Sequence, residues 1–204
     1  PNFDRERFAN LPDLPAAARE AESIASTYGA NPLVRDEATA ARVKHGLKET
    51  EIAHFATHAI SDEKSHLLSK LLLAGAGKES HHSAPGYLQA SEIYELNLSR
   101  TRLVVLSACQ TGIERAYRGE GAIGLARPFL TAGVPLVVAS LWPVESEATA
   151  DLMISFHKHR RQDQVSTVEA LRRAQLDAIN KQQSGAPKNY EWAAFVAIGG
   201  YASF

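Results

Sequence analysis

Arg102-Leu103-Val104-Val105-Leu106-Ser107-Ala108-Cys109 is the stretch on which the fold turns. Its four consecutive Leu and Val residues show no polar alternation. That pattern predicts a strand covered on both faces, as in a parallel sheet between helices. Val134-Pro135-Leu136-Val137-Val138-Ala139 repeats it downstream. Upstream, Glu51-Ile52-Ala53-His54-Phe55-Ala56-Thr57 reads as another strand, running into His58. Helical signals fill the intervals. Ala17, Ala21, Ile24, Ala25 and Tyr28 form one apolar stripe that begins after Pro15 and is stopped by Gly29. Leu33-Val34 reads as a short strand, and Asp36 to Glu49 as a second helix on Ala40, Val43 and Leu47. Leu67 to Leu73 is a strand candidate and Leu88 to Leu96 a short helix. A glycine-dominated stretch, Gly112 to Gly124, precedes a helix ending near Thr131. Two longer helices follow, the first capped by Ser146, the second opening on the capping-box pattern Ser166-Thr167-Val168-Glu169. Trp192 to Ile198 is a last buried element. Helices alternating with apolar strands predict an α/β fold with a mostly parallel central sheet flanked by helices on both faces. Residues 1–14 lack periodicity and read as a linker before one domain over 15–204.

Composition narrows the function classes. At 204 residues the chain buries most of its apolar surface without disulfide or metal staples. A net charge of −1 gives no support for nucleic acid or an anionic membrane as the main partner. The single cysteine excludes an internal disulfide and predicts a reducing, cytoplasmic setting. No signal-peptide pattern opens the chain, and apolar runs such as Val134 to Trp142 are too short to span a bilayer. The chain begins at Pro1 and its sole methionine is Met153, so it reads as a piece of a longer protein with sequence upstream.

Reactive side chains in open α/β sheets collect at the carboxyl ends of strands. Two strands here end in such residues: one delivers His58, the other Cys109, 51 positions later. A cysteine attacks a peptide carbonyl as thiolate and needs an imidazole to lower its pKa. The same histidine must protonate the departing amine, and backbone N–H groups must meet the developing oxyanion. Caspase-type cysteines sit about 50 residues after their histidine, in a Q-A-C-[RQG]-G setting that Ser107-Ala108-Cys109-Gln110-Thr111-Gly112 approaches. The competing reading of a lone cysteine is a buried, inert thiol.

His54-Phe55-Ala56-Thr57-His58-Ala59 resembles the HFATHG block of CHAT domains, caspase-like and separase-like peptidases usually attached to tetratricopeptide repeats. Leu106-Ser107-Ala108-Cys109-Gln110-Thr111-Gly112 resembles their LSACETG block. The likeness continues through Gly119-Glu120-Gly121, Ala139-Ser140-Leu141-Trp142-Pro143-Val144, Ala148-Thr149 and Trp192-Ala193-Ala194-Phe195. The resemblance implies a caspase-like fold and a cysteine endopeptidase acting on protein substrates without a cofactor. It makes Cys109 the nucleophile and His58, not His54, the acid–base, with the N–H groups of Ala59 and Cys109 as oxyanion donors. Thr57, Ser107, Gln110, Trp142 and Glu145 are the candidate substrate contacts. It further implies an upstream tetratricopeptide or other sensor region, and a role in bacterial signalling or self-destruction. Three positions depart from the family pattern: Ala59 replaces a usual glycine, Gln110 a common Glu, and Ser146 a frequent Asp. If position 59 needs φ > 0, alanine is strained there, and a scaffold that kept the fold but lost activity is the alternative.

Other motifs point elsewhere. His54 and His58 on one strand lie about 13 Å apart, too far for one metal ion, so His54 reads as a core or supporting histidine. His81-His82 and His157-Lys158-His159 read as solvated loop and helix-face residues. Gly119-Glu120-Gly121-Ala122-Ile123-Gly124 spells GxGxxG, but it begins ten residues beyond the strand it would have to close. Arg115, Arg118 and Arg127 are either a solvated face or a steering patch for acidic partners.

Overall fold

The computed structural model describes residues 8, 11, 13–62, 65–75, 86–108, 121–183 and 190–200. Its helices are α1 (Pro15–Tyr28), α2 (Ala40–Glu49), α3 (Ala90–Tyr94), α4 (Gly121–Thr131), α5 (Ser146–Gln162) and α6 (Thr167–Gln183). Its strands are β1 (Ile52–Ala56), β2 (Ala59–Ile60), β3 (Lys70–Leu72), β4 (Tyr87–Gln89), β5 (Leu103–Ser107), β6 (Leu136–Ser140) and β7 (Phe195–Gly199). The central sheet has the order β1-β5-β6-β7. The first three strands are parallel, and β7 closes the sheet antiparallel to β6.

The continuous apolar runs have the burial they predict: every residue of β5 and β6 is buried. Successive side chains go to opposite faces. Val104, Leu106, Val137 and Ala139 pack with Leu47 of α2 and Leu125 and Phe129 of α4. Leu103, Val105, Leu136 and Val138 pack with Ile24 of α1, Phe156 of α5 and Leu171 of α6. The architecture is therefore mixed α/β, with helices on both faces of a mostly parallel sheet. Each fully buried side chain of the Phe129 or Phe156 kind contributes about 1.5–3 kcal/mol relative to exposure. Gly199 ends β7 at φ +117, where a Cβ would collide with the Pro135 carbonyl oxygen. Only glycine fits that closure.

Several boundaries differ from the sequence reading. Leu67 to Leu73 divides into a 3-10 turn (His66–Leu68) and β3, and Leu88 to Leu96 into the end of β4 and the short α3. These pieces form a second, antiparallel sheet of order β2-β3-β4, and strands of two or three residues carry no readable periodicity. Residues 35–39 precede α2 instead of joining it: Arg35–Glu37 is a 3-10 turn, and Thr39 caps α2 by accepting from Arg42 N–H at 3.4 Å. Glu145, not Ser146, caps α5, its carboxylate accepting from the N–H groups of Glu147 and Ala148 at 3.1 Å each. A carboxylate in that position also meets the positive end of the helix dipole. Leu33-Val34 is not a strand. Val34 has extended backbone (φ −121, ψ 155), but no described strand lies beside it to pair. Among the described residues no helix is long and apolar enough to cross a membrane.

Candidate active site

β1 and β5 run side by side in a register that sets Ala56 opposite Ser107. Their carboxyl ends therefore lie level. Beyond β1 come Thr57 and His58, 4% and 1% exposed; beyond β5 comes the buried Ala108. The small sheet grips this turn. Thr57 Oγ1 donates to the Leu72 carbonyl at 2.5 Å, and Leu72 N–H donates to the His58 carbonyl at 2.8 Å. Reciprocal bonds of this kind fix the backbone from which the imidazole projects. Ala59 then opens β2 opposite Leu71, and the antiparallel alternation turns its N–H away from β3. Among the described residues only Arg35 and Gln164 combine positive φ with a side chain. Position 59 therefore does not require glycine, and alanine is unstrained there.

Cys109 and Gln110 lie outside the described residues, as do His81-His82, Arg115, Arg118 and the Gly119-Glu120 start of GxGxxG. Of the other sequence candidates, Thr57 spends its hydroxyl on Leu72. Ser107 Oγ is buried with no hydrogen-bond partner among the described residues, immediately before Ala108. Trp142 is 40% exposed just past the end of β6. Glu145 holds the α5 cap, while its N–H donates to Glu191 Oε1 at 3.0 Å; burial raises the Glu191 carboxyl above its ordinary pKa. Arg127 is exposed on α4. Among the described residues no group of three His, Cys, Asp or Glu side chains is placed to hold a metal ion.

The sequence reading missed a buried polar chain behind β1. His54 Nε2 is 2.8 Å from Glu20 Oε1, and its Nδ1 is 3.2 Å from His157 Nε2. His157 Nδ1 is 3.0 Å from the Tyr28 hydroxyl, to which Arg160 Nη1 donates at 3.2 Å. One assignment satisfies every atom: Arg160 to Tyr28 to His157 to His54 to Glu20, each donating toward the carboxylate, with both imidazoles neutral. His54 is thus the supporting core histidine expected. His157 is not on a solvated face: it is fully buried. His159 is half-buried, bridging Asp163 and Asp177 at 2.8 and 2.7 Å. Lys158 alone of the three is exposed. Only the helical offset of residues 153, 156 and 157 hinted at this, because the partners lie more than a hundred residues upstream.

Burial, reinforced by His54 and Arg160, holds the His157 pKa well below its ordinary 6.5. The unfolded chain therefore binds a proton there that the native chain refuses, and stability should fall as pH drops below about 6.5. His159 acts in the opposite sense, its hydrogen bond to Asp163 raising its pKa, but solvent screens it. The buried group should dominate. In urea titrations at pH 7.5 and 5.5, His157→Phe should lose much of the acid sensitivity of the parent; an unchanged difference would refute this account.

The CHAT domain family model matches residues 1–200. The chain is 29% identical over 222 residues to mouse Tetratricopeptide repeat protein 28, covering 91% of this chain. It is also 29% identical over 215 residues to the human protein of that name, again covering 91% of this chain. It spans 8% of the length of each of these relatives.

Proposed function

The chain belongs to the CHAT domain family, and from that premise we propose that it is a cysteine endopeptidase domain with Cys109 as nucleophile and His58 as acid–base. One observation carries the reading. The two family blocks leave neighbouring parallel strands at the same end of the sheet, in a register that pairs Ala56 with Ser107. The next residues but one along the two strands are His58 and Cys109. Chemistry at the carboxyl edge of a parallel sheet is the arrangement such folds favour.

The Cys109 thiol gives its proton to His58, and the thiolate forms a C–S bond to the scissile carbonyl carbon. N–H groups of Ala59 and Cys109 stabilise the oxyanion. The Ala59 N–H, turned away from β3, and its ordinary backbone conformation support that assignment. As the C–N bond breaks, the imidazolium protonates the amine. Water then gives a proton to His58 as it attacks the thioester, and Cys109 departs as thiolate. The exposed Trp142 and the residues around Ser107 and Gln110 line the substrate approach in this reading, and Glu145 contributes through the helix it caps. The relatives' tetratricopeptide name supports an upstream repeat region as the regulatory partner. A reducing cytoplasm suits a working thiolate.

Alkylation tests the central claim. Cys109 in the native protein should react rapidly with iodoacetamide near neutral pH, with a midpoint below the roughly 8.5 of an ordinary thiol. Reaction only upon unfolding would mark a core thiol and favour the non-catalytic scaffold.

A further inference from the structure

Buried polar side-chain atoms without partners are rare in a folded chain, and each requires an explanation. Among the described residues four atoms qualify: Ser107 Oγ, Thr149 Oγ1, Glu191 Oε2 and Trp192 Nε1. All four belong to one end of the sheet. Ser107 closes β5, and Thr149 lies early in α5, which leaves the carboxyl end of β6. Glu191 and Trp192 lie in the 3-10 turn Glu191–Ala194 that leads into β7. Because β7 is antiparallel, its first residue, Phe195, sits opposite Ser140 at that same carboxyl end. Ser107 borders the proposed nucleophile; the other three atoms mark a separate place along the same edge.

Two hydrogen bonds hold the turn against residues 141–145. Leu141 N–H donates to the Ala194 carbonyl at 2.8 Å, and Glu145 N–H donates to Glu191 Oε1 at 3.0 Å. Glu191 thus has one oxygen occupied and the other buried without a donor. Among the described residues no cation pairs with Glu191 or Glu145; Arg19, from α1, is spent on Glu147 and Asp151 at 2.8 and 2.9 Å. Thr149 is 3% exposed and follows Glu145 by one helical turn, on the face where Glu145 meets Glu191. Two aromatic rings stand outside. Trp142 is exposed three residues before Glu145, and Tyr190 is exposed immediately before Glu191. Burial, joined by the charge of Glu145, raises the Glu191 carboxyl, so a cation at its free oxygen relieves an uncompensated charge.

We propose that Glu191 is a specificity-determining residue, which seats a lysine or arginine side chain of the peptide substrate. The inference rests on the peptidase reading for its ligand being a substrate, and adds the side chain that is selected. A cationic head supplies the donor that Oε2 lacks. The Thr149 hydroxyl is a second acceptor, suited to the several N–H groups of a guanidinium. Trp142 and Tyr190 attract a cation to their ring faces and cover its aliphatic stem. The Trp192 indole N–H, a donor only, suits a carbonyl of the peptide main chain. An acidic side chain is rejected, because it would add a third negative charge to Glu145 and Glu191. Length matters as well. Adjacent strands lie about 4.8 Å apart, which puts β7 about 10 Å from β5 along the carboxyl edge. A peptide lying over the end of β5 spans that distance with a long side chain and not with a short one.

Peptide binding to the Cys109→Ala protein tests this without calling on cleavage. The probes are blocked octapeptides of alanine, glycine and serine that carry one central arginine or one central norleucine. The arginine peptide should bind at least about tenfold more tightly, and it should shift the indole N–H resonance of Trp192. Adding Glu191→Gln keeps an acceptor for Glu145 N–H and should leave the melting temperature unchanged, yet bring the two affinities within about twofold. Equal affinities before that change, binding of neither peptide, or a preference that survives Glu191→Gln would overturn the proposal. Cleavage by the parent reports separately. A Glu191-dependent preference in a chain that cuts nothing keeps this site and sinks the peptidase; cleavage with no basic preference does the reverse.

Discussion

Cys109→Ala should abolish cleavage across a diverse peptide library, a loss of at least about 10⁴-fold, because no other group on the chain replaces the thiolate. His58→Ala should cost about 10³–10⁴-fold, since it removes the acid–base step and also raises the thiol pKa. His58 is buried, so the comparison needs both variants to melt near the parent; the cysteine change, conserving the backbone and nearly the volume, is the cleaner probe. Cleavage that survives in Cys109→Ala would remove the thiol from the mechanism. Absence of cleavage by the parent would sink the peptidase and leave the scaffold. If the parent cuts, the same library reports which side chain precedes the scissile bond.

Glu20→Ala should destabilise the fold by about 3 kcal/mol, the largest effect expected away from the proposed catalytic edge. Glu20 is 3% exposed and terminates the chain of donors that begins at Arg160. Without the carboxylate, His54 Nε2–H is left in a buried site with no acceptor. Glu20→Gln keeps an acceptor oxygen there and should cost about 1 kcal/mol. Adding His54→Leu to Glu20→Ala should recover part of the loss, since the orphaned donor goes with it. Urea denaturation of the three variants checks the ordering. A Glu20→Ala loss below about 0.5 kcal/mol would show that the chain of hydrogen bonds adds nothing to stability.

Those two predictions rest on features of unequal legibility. β5 and β6 were readable because burial on both faces leaves a run of apolar residues with no alternation, and the shortness and valine content of the runs favour a strand over a buried helix. The position of His58 just beyond a strand end was legible, while its pairing with Cys109 stands as the proposal. The β2-β3-β4 sheet was not, since Ala59–Ile60 and Lys70–Leu72 are too short to show a period, and their partners lie across loops. Without that sheet the grip of Leu72 on His58 could not be seen. His157 was misplaced for another reason. A histidine beside Lys158 and His159 reads as surface until Tyr28 and His54, contributed by other elements, are found to satisfy it. Val34 has the right backbone and lacks only a partner strand among the described residues, so the error there was one of partnership rather than of local propensity.

The register of β1 with β5 has a consequence for the order of synthesis. Ile52 pairs with Leu103, a separation of 103 − 52 = 51 residues, so the histidine strand emerges from a ribosome well before the strand it must align with. Closing that long loop is slow compared with forming a helix. On the proposed mechanism, a nascent chain carries His58 for roughly 3–10 s before Cys109 is added, and the pair forms only when the two strands dock. An endopeptidase of the proposed kind then acquires its cutting power only as folding finishes, so partly made copies are harmless to the chains emerging beside them.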